Sequence, residues 1–401
     1  MATTQTAGDL RERLAHFSTY ECTPAEAFAL FREAREAGHS VFFSEKHGGY
    51  YTFLDYADVK AAHGDWETYH SGPQVLRPFA ERPRFPPLEY DPPEHTAWRE
   101  LFAQVLNPQA PKLHEDSVRE DVVQVIEQLR TQGTFDLQAD FAEPIPLLTL
   151  SDVIGFDREK RADVRRFTVE MHAAGGDPQK LQEVFMAFGQ FGAAEVYDRL
   201  EHPREDFLTD LARAQIDGQP IPPMELGAAM NSFLNAGHGT TVSGLTSLLW
   251  EVLRSPEIKQ RLIDDPSQIP AAVEESMRLH TPFFGLYRTT TKPLTVGGVE
   301  IPEGSGVLMM WAAANRDPKV FPNPDEFDLD RELGRNRLMT FGFGLHACMG
   351  QPLARMEMKV ALEELLGRLP EIELVDPDEV KHEFAGMETC LIKSLPARIN
   401  A

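Results

Sequence analysis

The most informative stretch of the chain is Phe341-Gly342-Phe343-Gly344-Leu345-His346-Ala347-Cys348-Met349-Gly350. Its glycines allow the backbone to turn sharply and to approach a flat ligand closely. Pro352 suits the first turn of a helix, so Cys348 stands just before a helix N-terminus. At that position the helix macrodipole and the free N–H groups favour a thiolate. The stretch therefore predicts a thiolate held ready for a metal.

Other interpretations of Cys348 compete with this one. A lone cysteine is most often a small buried hydrophobic residue. A tyrosine-phosphatase loop also places a cysteine before a helix and an arginine after it, but it needs a spacing one residue shorter than that between Cys348 and Arg355. Zinc is disfavoured because no second cysteine or histidine lies at ligand spacing nearby.

Hydrophobic periodicity predicts a mainly α-helical chain with a small β region, organised as one domain over residues 1–401. Its longest predicted helix spans 224–254, about 46 Å at the α-helical rise, and is mostly apolar, as a buried central helix would be. A strand is predicted at Tyr50-Tyr51-Thr52-Phe53, short strands at 286–310, and a proline-rich irregular stretch at 70–93. Further helices are predicted at 24–38, 55–70, 94–106, 112–131, 140–155, 158–174 and on to about 200, at 271–280, and at 350–368.

Composition narrows the class of protein. The 63 acidic residues outnumber the 39 basic ones, which gives a net charge of −24 and makes nucleic acid a poor partner. The start of the chain has no apolar signal core. The longest apolar run, 307–314, is far shorter than the roughly 20 residues that span a bilayer. Three cysteines do not make a disulfide framework. These features predict a reduced, cytoplasmic protein that is not embedded in a membrane.

The stretch around Cys348 resembles the haem-binding loop of cytochromes P450, whose pattern is Phe-x-x-Gly-x-His-x-Cys-x-Gly. Leu353-Ala354-Arg355-Met356-Glu357 also resembles the helix that follows this loop in the family. The resemblance covers nearly the whole chain from about residue 24 to Ile399. It implies the P450 fold, with haem b between the long central helix and the helix after the cysteine loop. It also implies that Cys348 ligates the iron and that Phe341 and Gly350 belong to the cofactor site.

Four further segments support the resemblance. Glu275-Ser276-Met277-Arg278 matches the Glu-x-x-Arg pair of the family's K helix, a structural ion network beneath the haem. Residues 314–327 resemble the segment between that helix and the haem loop. The third segment, 91–99, resembles the start of the C helix and places His95 and Arg99 on one helix face, and the fourth match is an arginine at the start of the strand region. The cations that the resemblance assigns to the two haem propionates are His95, Arg99, Arg288 and His346.

The segment Ala236-Gly237-His238-Gly239-Thr240-Thr241 lies within the long predicted helix. Its two glycines cost about 1 kcal/mol each relative to alanine, and close helix packing or a kink would explain them without any catalytic role. The resemblance implies instead a groove beside the iron, in which Thr240 matches the oxygen-binding threonine and Thr241 follows it. Gly239 departs from the family pattern, which has an acid there that relays protons. We hypothesise that Thr240 and ordered water deliver the protons instead, with a contribution from His238.

The resemblance implies a monooxygenase that uses O2 and two electrons to hydroxylate or O-dealkylate a small apolar or aromatic molecule. The electrons would come from a ferredoxin and its NAD(P)H-dependent reductase, and the enzyme would act as a monomer. An acidic ferredoxin needs a basic patch, and ordinary solvated charges are an equally good interpretation of the candidates. Those candidates are Lys112, Arg335, Arg337, Arg355 and Lys359.

Substrate identity is weakly encoded. The predicted pocket residues are Phe233, Ala236, Phe283, Phe284 and Met387. Arg77, Arg82 and Arg84 either bind a substrate carboxylate or face solvent. Two rival functions stay open at this point: a peroxide-driven haem-thiolate peroxygenase, which would suit the missing acid, and a non-catalytic haem ligand sensor.

Overall fold

A computed structural model describes residues 7–77, 79, 82–174, 177–216, 218–334, 337–386 and 388–399. Helices dominate it. The first seven are α1 (Ala7–Ala15), α2 (Pro24–Glu36), α3 (Tyr56–Gly64), α4 (Glu94–Phe102), α5 (Ala110–Leu129), α6 (Pro144–Ile154) and α7 (Arg161–Ala174). The others are α8 (Pro178–Glu201), α9 (Phe207–Arg213), α10 (Pro223–Arg254), α11 (Pro256–Asp264), α12 (Ile269–Leu279), α13 (Trp311–Ala314) and α14 (Gln351–Arg368). None of the described helices is long and apolar enough to cross a membrane.

The strands are short and form small sheets. Those up to β7 are β1 (Val41–Ser44), β2 (Tyr50–Phe53), β3 (Tyr69–His70), β4 (Thr134–Asp136), β5 (Gln215–Ile216), β6 (Gln219–Pro220) and β7 (Gly285–Thr290). The later ones are β8 (Leu294–Val296), β9 (Val299–Ile301), β10 (Gly306–Met310), β11 (Ile372–Leu374), β12 (His382–Phe384), β13 (Cys390–Ile392) and β14 (Pro396–Ile399). The largest sheet has the order β1-β2-β10-β7-β3, and within it only β2 and β10 run parallel. The predicted fold, mainly α with a small β region, is confirmed.

Helix α10 is the centre of the fold, as its length and apolar sequence predicted. It packs against α8, α6, α12 and α14. Its contact with α8 is close because Gly227 meets Gly189, where a methyl group at position 227 would come 2.2 Å from the Gly189 carbonyl oxygen. Only glycine fits such a backbone approach. The position of α10 is therefore fixed by direct backbone packing.

Several predicted boundaries were wrong. The helix predicted at 55–70 ends at Gly64, and Tyr69 and His70 instead pair with Thr290 and Thr289 of β7. The pattern predicted as one helix over 140–155 is a π-helical turn, Leu137–Ala142, followed by α6 with Pro144 in its first turn. Helices α1, α9, α11 and α13 were not predicted. Pro256, which follows the end of the predicted central helix, begins α11, whose N-cap Ser255 accepts a hydrogen bond from the Ile258 N–H.

Candidate active site

The loop before α14 presents Cys348 to a cavity inside the protein. The Cys348 N–H donates to the Phe341 carbonyl oxygen at 2.8 Å, which closes the loop on itself. Gly344 has a φ of 68°, and a methyl group there would come 2.7 Å from the His63 carbonyl oxygen. Both features require glycine at this position. The Cys348 side chain is exposed only into the space bounded by this loop and the elements around it.

Opposing effects act on the acid–base state of Cys348. Burial raises the pKa of the thiol above its ordinary value. The N–H groups of Gly350 and Gln351, at the start of α14, and the charges of Arg99 and Arg355 act in the other direction and favour the thiolate, as predicted. A metal ion deprotonates a coordinating thiol outright, so this sulfur would hold a metal as a thiolate.

A cavity of about 1740 Å³, counting its mouth, separates this loop from α10. Phe341, His346, Cys348 and Gly350 lie on one wall. The opposite wall is formed by α10 and includes Phe233, Ala236, Gly239, Thr240 and Thr241. The remaining lining is largely apolar.

Four basic side chains meet at one edge of the cavity. They are His95 and Arg99 of α4, Arg288 of β7, and His346 of the cysteine loop. The rings of His95 and His346 are 4.3 Å apart. Burial, with smaller effects of neighbouring positive groups, lowers the pKa of His95 to about 3, and burial lowers that of His346 to about 4 although Asp91 opposes the shift. Burial also lowers the pKa of Arg288 to about 10.

Two of these four groups have buried polar atoms without a partner, whereas His346 contacts Asp91 and Ser71. Both ring nitrogens of His95 and the Nη2 atom of Arg288 are buried without a hydrogen-bond partner in the described chain. Leaving buried donors unsatisfied is costly, so such a cluster is built to receive negative groups from a ligand. Together with the sulfur of Cys348 and the apolar walls, the cluster fits an iron porphyrin with two carboxylates. That group, when bound, supplies an iron at which dioxygen can be activated.

The threonines of α10 lie where the sequence predicted. The hydroxyl of Thr240 donates to the Ala236 carbonyl oxygen at 2.8 Å, and that of Thr241 donates to the Gly237 carbonyl oxygen at 2.9 Å. Close packing accounts for Gly237, since a methyl group there would come 2.7 Å from a Leu150 methyl carbon. Gly237 is therefore explained by close helix packing, as one of the two interpretations proposed, although it also lines the cavity.

The contribution hypothesised for His238 is wrong. His238 is buried, and its Nε2 lies 3.2 Å from the Glu143 carbonyl oxygen on the α6 side of the helix. It is absent from the described lining of the cavity. Gly239 does line the cavity and carries no side chain. Within the described residues, this stretch of α10 therefore offers the cavity only the two threonine hydroxyls.

A buried ion network holds α12 to the segment before the cysteine loop, as predicted. The Nε and Nη2 atoms of Arg278 donate to the Glu275 carboxylate, both at 2.8 Å. Glu275 also accepts a hydrogen bond at 3.0 Å from Arg331, which lies in the segment before the cysteine loop. Arg278 is fully buried, and its Nη1 donates to the carbonyl oxygens of Asn315 and Pro324. The network fixes the backbone that leads to the cysteine loop.

The predicted pocket residues divide. Phe233, Ala236 and Phe283 line the cavity. Phe284 does not line it and was wrongly predicted: its ring packs on Phe28 and Phe384 in a separate hydrophobic cluster, because neighbouring residues of an extended segment point to opposite faces. Met387 lies outside the described residues.

The arginines of the irregular stretch contact other groups of the protein and are not among the described residues that line the cavity. Arg82 forms a buried ion pair with Glu89 at 2.7 Å and stacks on Phe85, which lines the cavity. Arg77 is buried and donates to the carbonyl oxygens of His47 and Gly49. Arg84 stacks on Tyr90. The irregular stretch therefore forms part of the cavity wall and is held by contacts of its arginines. Its proline-rich sequence did not indicate these contacts.

Sequence reasoning also missed five polar side chains of the cavity: Ser232, Asn235, Thr340, Glu357 and Thr389. The first two were one residue away from Phe233 and Ala236, which were named. Helical spacing from Ala236 would have found Ser232, four residues earlier. Glu357 was quoted only as part of a motif. Its burial, 3% exposed, depends on packing around α14 that no local pattern reveals.

Comparisons with known proteins agree with the geometry. The family model "Cytochrome P450" matches residues 112–400. Cytochrome P450 107B1 of Saccharopolyspora erythraea is 32% identical, with 80% of each chain covered. Cytochrome P450 CYP199A2 of Rhodopseudomonas palustris is 32% identical, with 90% of each chain covered. The structure of a mutant of P450 EryK in complex with erythromycin B superposes with a TM-score of 0.85 at 27% identity, covering 94% of this chain and 97% of that one. The chain therefore belongs to the cytochrome P450 family and is a haem-dependent monooxygenase.

Proposed function

We propose that this P450 binds haem b through Cys348 and inserts one oxygen atom of O2 into a small, largely apolar or aromatic molecule. The observation that carries the proposal is the arrangement of the cavity, with the Cys348 thiol on one wall and the Thr240 hydroxyl on the other. In this proposal His95, Arg99, Arg288 and His346 hold the two haem carboxylates. The substrate lies against the apolar surface of Phe85, Phe233 and Phe283.

A spectrum tests the ligand assignment. We expect the reduced protein to give, with carbon monoxide, the absorption band typical of a thiolate-ligated haem. Cys348→Ala should lose that band, whereas Cys390→Ala, which replaces another buried thiol, should keep it. A Cys348→Ala protein with an unchanged haem spectrum would contradict the assignment.

We further propose that electrons come from a ferredoxin and its NAD(P)H-dependent reductase, but that docking relies little on a basic patch. Arg355 pairs with Glu274, and Lys359 pairs with Glu115 and Glu363. The chain's own carboxylates already neutralise these two cations. Lys112 and Arg337 are exposed, and Arg335 lies outside the described residues. An acidic partner would therefore gain little long-range attraction here.

A peroxide-driven reaction is a second candidate, and the specific observation that favours it is the lack of a carboxyl group at Gly239. A peroxide already carries the protons and electrons that the other route must deliver. Comparing product formed with hydrogen peroxide alone and with NAD(P)H, ferredoxin and reductase separates the two routes. We expect the reductase system to be faster, and a higher rate with peroxide would reverse the assignment.

A further inference from the structure

One serine on α10 differs from every other hydroxyl of that helix. The side chains of Thr240, Thr241 and Thr246 donate to carbonyl oxygens one turn earlier, Ser243 donates to the Cys390 carbonyl oxygen, and Ser247 contacts His382. Ser232 has no hydrogen-bond partner in the described chain, although it is only 7% exposed. Because Ser232 lines the cavity, a molecule bound there can supply the hydrogen-bond partner that the chain does not.

The same contrast holds between two asparagines. Asn231 donates to the Phe185 carbonyl oxygen at 3.4 Å. Asn235, one turn later, makes no hydrogen bond with the described residues and lines the cavity together with Ser232. Since residues three apart lie on one face of a helix, the two unpartnered side chains form a single polar point on the cavity wall. An amide and a hydroxyl together offer both donors and acceptors.

The surroundings of this point are uncharged. The ionisable side chains of the described lining are Arg99, His346, Cys348 and Glu357. His346 and Cys348 lie in the cysteine loop, and Glu357 lies in α14, which follows it. Arg99 lies beside the same loop, because its Nη1 donates to the Ala347 carbonyl oxygen. Arg82, the nearby arginine of the irregular stretch, is neutralised by its ion pair with Glu89. A carboxylate bound at Ser232 and Asn235 would thus lack a counter-charge, whereas a neutral group would be satisfied.

We propose that Ser232 and Asn235 select a substrate by one neutral hydrogen-bonding group, an amide, carbonyl or hydroxyl, at the end of an otherwise apolar body. The inference rests on the proposed monooxygenase function. Asn235 and Ser232 precede Thr240 by about 8 and 12 Å along the helix axis. The oxidised carbon therefore lies at the opposite end of the molecule from the polar group, about that far away.

Binding of three matched probes tests the proposal: para-butylbenzamide, para-butylbenzoate and butylbenzene. Their dissociation constants are measured calorimetrically, and also from the haem spin-state shift. We expect the wild-type protein to bind the benzamide about tenfold more tightly than either other probe, which corresponds to about 1.4 kcal/mol. The double variant Ser232→Ala with Asn235→Leu should lose that preference and bind butylbenzene at least as well as before.

The matched control is Thr246→Val, which removes a hydroxyl of the same helix that is already bonded to the Val242 carbonyl oxygen. It should leave the preference unchanged. The inference is overturned if the double variant keeps the benzamide preference, or if the wild-type protein prefers the benzoate or the hydrocarbon. Because calorimetry needs no turnover, a normal carbon monoxide spectrum with no amide preference defeats this inference alone, whereas loss of the thiolate spectrum in the wild-type protein defeats the proposed function.

Discussion

The buried carboxyl of Glu357 makes the stability of the protein depend on pH in an unusual direction. Glu357 is 3% exposed, and its Oε2 atom has no hydrogen-bond partner among the described residues. Burial raises the pKa of this carboxyl from 4.5 to about 8. The folded protein therefore keeps the proton over a pH range in which the unfolded chain releases it. Stability is full below the unfolded pKa and is lost as the pH rises through this window.

The substitution that removes this effect is Glu357→Gln, which keeps the shape of the side chain and cannot ionise. The raised pKa corresponds to a ceiling of about 5 kcal/mol for the pH-dependent loss. We expect the free energy of unfolding of the variant, relative to wild type, to improve by about 1.4 kcal/mol per pH unit between about pH 5.5 and pH 8. The cost of burying the glutamine amide does not depend on pH, so it shifts the free-energy difference by the same amount at every pH and leaves the slope unchanged.

Glu364→Gln on the same helix is a control of opposite sign. Burial alone would raise the pKa of Glu364, but hydrogen bonds from Arg368 and Arg119 lower it overall. This carboxylate stabilises the folded protein above its unfolded pKa and ceases to do so as the pH falls, so its removal should cost most at neutral pH. Urea unfolding of the haem-loaded proteins across the pH series measures both effects. A difference between wild type and Glu357→Gln that stays flat over the series would refute the reasoning.

Three more outcomes follow from the site. Glu275→Gln should cost about 3–5 kcal/mol of unfolding free energy because it leaves Arg278 buried and unpaired. Substitution of its half-buried neighbour, Glu274→Gln, should cost about 0–1 kcal/mol. Equal losses for the two variants in urea unfolding would contradict the network. Gly239→Asp should raise the fraction of NAD(P)H electrons recovered as product, and unchanged coupling would show that the missing acid does not limit proton delivery. Raising the salt concentration from about 50 to about 300 mM should change the KM for ferredoxin by less than about threefold, and a larger rise would restore the basic-patch hypothesis.

The fold was predictable where the sequence carries its own signals. The apolar pattern of α10 and the glycines around Cys348 specify local structure directly, and both were located to within a residue or two. The wrong boundaries lie where partners distant in the sequence decide. Tyr69 and His70 continue a helical pattern, but pairing with β7 takes them into a sheet. Tertiary pairing overrides weak local propensity in such places.

The site was predictable in its cofactor-facing part and poorly predictable in its substrate-facing part. Residues such as His95 and His346 match a motif whose spacing is imposed by one rigid ligand. Phe284 and Arg82 depend instead on which way a side chain turns and on which partner it meets. Arg82 finds Glu89 seven residues later, inside a stretch with no periodicity to indicate it. The burial of Cys348, which raises the pKa of its thiol in the metal-free chain, could not be read from the helix that follows it either.

The division of labour along α10 explains why one helix can serve both stability and chemistry. Beyond Val242 most of its polar side chains contact the rest of the protein: Ser247 contacts His382, and the Trp250 indole N–H donates to the Pro377 carbonyl oxygen, although Thr246 donates within the helix. From Ser232 to Thr241 the cavity-facing polar groups are either unpartnered or bonded only to the helix itself. The anchored half holds the open half in place, so the open half does not need its own polar contacts to stay ordered. Substitutions in the anchored half should therefore change the free energy of unfolding, whereas substitutions in the open half should change which molecule binds and how it is oxidised.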